Sequence, residues 1–226
     1  MSNSLIIKVC GMREAENIRE VDQLSIFRSA LPLGSSKNCQ LSINWMGFIF
    51  WPKSKRYVNK IPDYMPVNAK RVGVFVDEEI ETIQRIADDY ALDILQLHGS
   101  ESPEQISQLS IVNCQLSIIK AFNIATAEDF KLTKAYEGLV DYFLFDTKGQ
   151  SVGGNGAKFD WNVLTHYTGS TPFLLSGGIG PEDAEAVRTF HHPRCIGIDL
   201  NSRFETAPGV KDVARLKEFM YNLNTK

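Results

Sequence analysis

The sequence predicts a (β/α)8 (TIM) barrel, with residues 1–226 forming a single domain. Two observations point there. Short runs rich in Ile, Val, Leu and Phe recur along the whole chain, and some, such as Tyr142-Phe143-Leu144-Phe145, are apolar without alternation. Strands of a parallel sheet, covered on both faces, have that character. Eight such runs alternate with longer amphipathic stretches and end in a helix, and eight regular units in 226 residues favour a closed ring over an open doubly wound sheet.

In chain order the strands are expected at Leu5–Cys10, Asn44–Phe50, Arg71–Val76, Asp93–His98, Ser117–Phe122, Asp141–Asp146, Pro172–Ser176 and Cys195–Leu200. Between them, Glu78–Tyr90 places Ile80, Ile83, Ile86 and Ala87 on one helical stripe. Ser102-Pro103-Glu104-Gln105 sets a cap, a proline at the first helical position and an acid in the first turn. Pro181-Glu182-Asp183 repeats that arrangement before Ala184–Phe190, and Gly209–Asn222 closes the chain with Val213, Leu216, Phe219 and Met220 on one face. The stretch Asp22–Ile43 makes the first unit unusually long, either as a helix extension followed by a loop or as a local insertion.

Bulk properties narrow the class. A net charge of -3 lacks the basic footprint of a nucleic-acid binder. No run approaches the roughly 20 apolar residues that span a bilayer. The first residues have no basic segment before a long apolar core, so no signal peptide is expected. Cys10, Cys39, Cys114 and Cys195 form no CxxC pair, which argues against a zinc site or a disulfide framework and for a reducing cytoplasm.

Barrels of this class carry their chemistry at the C-terminal strand ends. There the sequence places Lys8-Val9-Cys10-Gly11, Pro52-Lys53-Ser54-Lys55-Arg56, Gln96-Leu97-His98-Gly99, Phe145-Asp146-Thr147-Lys148, Ser176-Gly177-Gly178 and Asp199-Leu200-Asn201-Ser202. Gly177 and Gly178 allow close approach of backbone to an anion, and Asn201 and Ser202 add donors from the next loop, so a phosphate is the expected ligand. Arg56 can grip a carboxylate through its planar fork, or can be a solvated loop charge. His98 is either a structural hydrogen-bonding residue or part of the site.

Cys10 and Asp146 face each other across the mouth, because strands 1 and 6 lie three steps apart around the ring. Each has a plain alternative: Cys10 as inert packing, and Asp146 as a helix cap or a partner for Lys148. To act as a base the thiol needs a cation or helix terminus nearby, and to act as an acid the aspartate must keep its proton near neutrality.

These motifs, in their order and spacing, resemble phosphoribosylanthranilate isomerase, an enzyme family of the tryptophan pathway. The likeness runs nearly end to end, through Ile7-Lys8-Val9-Cys10-Gly11-Met12, Met46–Phe50 with Pro52–Tyr57, Arg71–Val76, Leu95–Gly99, Phe145–Lys148, Gly153–Gly156 before Phe159-Asp160-Trp161, and Leu175–Gly178. The resemblance implies an Amadori rearrangement of N-(5-phosphoribosyl)anthranilate to the corresponding 1-deoxyribulose phosphate. It implies that Asp146 protonates the furanose oxygen, that Cys10 removes the C2′ proton, and that Arg56 holds the anthranilate carboxylate. The loops after strands 7 and 8 would hold the phosphate, and no metal or organic cofactor is implied. The substrate is a phosphorylated small molecule, and the assembly is expected to be a monomer or homodimer.

Two features depart from the family pattern: the long Asp22–Ile43 stretch, and Arg203, where many members have glycine. The glycine-rich loop at 149–156 is read as a mobile cover for the site. Two other readings stand beside this one. A different phosphosugar barrel enzyme would place Glu or Lys at the strand ends, and Lys120 lacks an acidic partner in its own segment. An inactive barrel kept as a binding protein would not be expected to hold Cys10, Asp146 and Arg56 together.

Overall fold

A computed structural model describes residues 5–26, 42–112, 115–146 and 161–225. Eight parallel strands close into a barrel in sequence order, with β1 hydrogen-bonded to both β2 and β8. They are β1 (Ile6–Cys10), β2 (Ile43–Ile49), β3 (Lys70–Phe75), β4 (Ile94–Leu97), β5 (Ser117–Asn123), β6 (Tyr142–Asp146), β7 (Phe173–Ser176) and β8 (Cys195–Leu200). Every predicted strand is present, within one residue at either end.

Side-chain parity divides the core into two. Trp45, Val72, Ile94, Ile119, Leu144 and Leu174 pack together inside the barrel. Their neighbours in sequence, such as Phe143, Phe145 and Leu95, pack outward beneath the helices. The interior is apolar at its floor and polar toward the C-terminal ends of the strands, where buried Lys8, Gln96, Ser176 and Asp199 sit. That switch from apolar floor to polar rim fixes where chemistry can occur.

The helices named from the sequence are all present, with bounds shifted by up to four residues. Regular helices are α1 (Ala15–Gln23), α2 (Ile80–Asp89), α3 (Pro103–Val112), α4 (Ala184–Thr189) and α5 (Val213–Asn224). Among the described residues, the connections after β5 and β6 carry 3-10 segments, Ala127–Tyr136 and Trp161–His166. The cap before α3 forms as expected: Gln105 N–H donates to Ser102 Oγ at 3.3 Å, and Ser102 N–H donates to Gln105 Oε1 at 2.8 Å.

The last helix is a correction. It starts at Val213 and not at Gly209, because β9 (Glu205–Ala207) and β10 (Val210–Lys211) form a hairpin that carries Lys211 inward. Asp212 Oδ1 then accepts from Arg215 N–H and caps the helix. Of the long stretch at 22–43, residues 27–41 lie outside the described residues, as does the loop at 149–156. Among the described residues, no helix is long and apolar enough to cross a membrane.

Candidate active site

Cys10 ends β1 on the inward face, two residues beyond Lys8. The chain turns there because Gly11 N–H and Met12 N–H both donate to Gly47 O at 2.9 Å, with Gly11 at φ +79. A Cβ on Gly47 would stand 2.8 Å from Cys10 Sγ, so the sulfur occupies the space a side chain on β2 would need. Cys10 is buried, and burial pushes its thiol upward; Lys8 and Lys211 pull it back only in part. The expected cations are therefore present, but in this structure they do not outweigh desolvation.

Lys8 Nζ donates to Asp199 Oδ1 at 2.8 Å, and Ser176 Oγ donates to Asp199 Oδ2 at 3.3 Å. Burial alone would lower the Lys8 ammonium, but Asp199 and Cys10 reverse this and raise it. Lys8 is thus held charged beneath the sulfur.

Arg56 is set by a chain of turns. Ser54 N–H donates to Trp51 O at 2.9 Å, Arg56 N–H to Ser54 Oγ at 3.1 Å, and Val58 N–H to Ile49 O at 2.9 Å. Its guanidinium faces Glu205 of β9: Nε lies 2.8 and 3.0 Å from the two carboxylate oxygens, and Nη2 lies 2.6 Å from one. Lys211 Nζ reaches the same carboxylate at 2.6 Å and Asn201 Oδ1 at 2.9 Å. Those contacts hold the Glu205 carboxyl below its ordinary value despite its burial. Two cations share one carboxylate, so the cluster beside Cys10 keeps an excess of positive charge.

Asp146 ends β6 on the same inward face as Leu144 and is mostly enclosed, its side chain 19% exposed. His98, just past β4, places Nε2 at 3.7 Å from Asp146 Oδ2, too far for a hydrogen bond. The Gln96 side-chain amide pairs with His98 Nδ1 at 3.3 Å, with donor and acceptor set by the imidazole tautomer. Burial lowers the imidazole, with Asp146 opposing it. His98 therefore lines the mouth. Lys148 lies outside the described residues.

Gly177 and Gly178 follow β7 at φ +96 and +68, a region glycine favours, and no described residue lies within 4 Å of where a Gly178 Cβ would point. Asn201 and Ser202 follow β8, where Ser202 opens a 3-10 turn, Ser202–Phe204. The strand order places the β7 and β8 loops side by side.

The structure thus brings Cys10, Asp146, Arg56, His98, Gly177, Gly178, Asn201 and Ser202 to one end of the barrel. Lys120 does not join them. It shares the outward side of β5 with Ile118 and Phe122, bonded to Glu101 at 3.0 Å and to Gly99 O at 2.7 Å. Sequence reading placed Lys8 at the end of strand 1 without a role, and gave none to Glu205 or Lys211. Lys8 had a signal, a charge interrupting an apolar strand. Lys211 had none, because it falls in a stretch read as helix.

Comparison with known proteins gives a consistent result. A family model described as "PRAI: N-(5'phosphoribosyl)anthranilate (PRA) isomerase" matches residues 36–222. The N-(5'-phosphoribosyl)anthranilate isomerase of Parabacteroides distasonis is 52% identical, covering 97% of this chain and 93% of that protein. The one from Phocaeicola vulgatus is 46% identical, covering 98% and 99%. The crystal structure of the Thermotoga maritima enzyme aligns with TM-score 0.73 and 28% identity, over 97% of this chain and 98% of the other. A phosphoribosyl anthranilate isomerase solved with reduced 1-(o-carboxyphenylamino)-1-deoxyribulose 5-phosphate aligns with TM-score 0.73 and 27% identity, over the same shares.

Proposed function

The chain belongs to the N-(5'-phosphoribosyl)anthranilate isomerase family, and from that premise we propose that Cys10 and Asp146 are its proton-transfer pair. The activity is isomerisation in tryptophan biosynthesis, on a phosphorylated small-molecule substrate. The reaction is an Amadori rearrangement, in which an aminoaldose becomes an aminoketose by ring opening, proton removal at C2′ and tautomerisation.

Asp146 gives its proton to the furanose oxygen, the C1′–O bond breaks, and the nitrogen lone pair forms a Schiff base. Cys10 thiolate then takes the C2′ proton; the C2′–H electron pair forms the C1′=C2′ double bond and the C1′=N pair returns to nitrogen, giving an enolamine. Tautomerisation yields the ketone. General acid–base groups contribute about 100- to 10,000-fold each.

One observation supports the polarity of this assignment: Arg56 and Lys211 share Glu205 beside Cys10. The surplus charge suits both a substrate carboxylate and a thiolate. Arg56 takes the carboxylate through guanidinium N–H groups that Glu205 leaves unused. The backbone at Gly177 and Gly178, with Asn201 and Ser202, takes the phosphate. His98 lines the pocket between them. The proposed setting is the cytoplasm, as a monomer or homodimer.

The test is turnover. Folded protein supplied with phosphoribosylanthranilate is expected to remove its anthranilate-type fluorescence. Persistence of that fluorescence with folded protein would sink the assignment.

A further inference from the structure

Arg203 and Glu182 belong to different loops. Glu182 lies in the 3-10 turn Pro181–Asp183 after β7, and Arg203 in the turn Ser202–Phe204 after β8. Arg203 Nη2 donates to Glu182 Oε1, bridging the two loops. The pair lies over Gly180: a Cβ there would come within 2.5 Å of Arg203 Nε and 2.6 Å of Glu182 Oε2. Two positions earlier, no described residue stands within 4 Å of where a Gly178 Cβ would point. The guanidinium therefore stands over the same loop that carries the exposed backbone of Gly178.

The bond that holds it there is weak. The two side chains are 48% and 44% exposed, and ion pairs so open to water gain little from their attraction. A phosphate monoester near neutrality carries close to two negative charges and several acceptor oxygens, against one charge on Glu182. Arg203 gains by exchanging one for the other, and Glu182 repels the incoming anion.

We propose that Arg203 is a phosphate-binding residue held in reserve by Glu182, which it leaves to close on the phosphate of the substrate. This rests on reading the β7 and β8 loops as the phosphate site. The alternative is a plain staple between two loops, and the two ideas differ in sign. A staple loses the same contact whichever partner is removed. A reserve cation is lost in Arg203→Ala but released in Glu182→Gln.

The experiment measures inorganic phosphate binding by calorimetry, and KM and kcat by fluorescence, on the full chain. Arg203→Ala is expected to weaken phosphate binding and raise KM by about tenfold, the loss of one charged hydrogen-bonding partner, with kcat within about twofold. Glu182→Gln is expected to tighten phosphate binding and lower KM. Arg203→Lys should recover part of the loss, since it keeps the charge without the fork. Changes of the same direction in Arg203→Ala and Glu182→Gln, or equal phosphate binding in both, would overturn the proposal. Opposite changes in phosphate binding without turnover would sink the isomerase assignment and leave Arg203 as a phosphate ligand.

Discussion

Lys8 Nζ lies 2.8 Å from Asp199 Oδ1 inside the barrel, with both side chains nearly free of solvent and Cys10 two residues further along the same strand. Burying such a pair gains little stability over an apolar filling of the same volume, so its value must be sought in what it does to its neighbours. Lys8 pulls the Cys10 thiol down more than Asp199 pushes it up. Replacing both together, as Lys8→Met with Asp199→Leu, avoids stranding one buried charge. The expected result is a folded protein whose Cys10 needs a higher pH to react. Its alkylation by iodoacetamide, measured against pH with Cys10→Ala as the blank, should shift to the alkaline side of the wild-type curve. An unshifted curve would refute the tuning role.

The shared carboxylate makes a second forecast, about pH. Contacts from Arg56 and Lys211 hold the folded Glu205 carboxyl below its unfolded value, which is near 4.3. Its stabilising contribution is therefore complete above that unfolded value and is lost as pH falls through the folded one. Glu205→Gln leaves Arg56 and Lys211 without their carboxylate, and should cost about 3 kcal/mol, the low end for breaking a buried ion pair. Thermal melts should separate wild type from Glu205→Gln most at pH 6 to 7, and converge as pH drops toward the folded value. A gap that is constant from pH 7 to pH 3 would contradict this linkage.

The barrel was legible because each strand is a short β-branched or aromatic run and the interior floor demands them. Cys10, Arg56 and Asp146 were legible because they end or follow strands, and topology places all such ends together. The rest depended on contacts between residues far apart in sequence. Lys211 looked helical because the hairpin that turns it inward is stabilised by Glu205 and Asn17, which no local pattern links to it. The 3-10 character after β5 and β6 was equally hidden, since periodicity over six to ten residues does not separate it from an α-helix. The state of Cys10 also escaped, because it depends on how burial weighs against two lysines brought in by β1 and by the hairpin.

Gly11 offers a test confined to backbone geometry. Its φ of +79 is unfavourable for other residues, and a Cβ would meet Arg56 Cδ at 2.6 Å and Asn201 Oδ1 at 2.9 Å. Gly11→Ala should therefore destabilise by about 1–2 kcal/mol and push Arg56 from its place. Because Arg56 is assigned to hold the substrate carboxylate, KM should rise more than kcat falls, and Arg56→Ala should have the same profile. A Gly11→Ala enzyme with wild-type melting and KM would remove the argument for this turn.

The proton-transfer pair makes the sharpest demand. Asp146→Asn keeps the shape at the end of β6 but has no acidic proton to give, and Cys10→Ala deletes the base. Each should lower kcat by at least about 100-fold, the lower end for general acid–base groups, with circular dichroism unchanged. KM should stay within a few-fold for both, because neither residue is assigned to the carboxylate or the phosphate. The double variant should be only slightly worse than the worse single one, because the two groups serve successive steps of one path and neither helps once the other is gone. If Asp146→Asn retained near-normal kcat, the acid would have to be sought elsewhere, and His98, with Nε2 at 3.7 Å from that carboxylate, would be the next residue to replace.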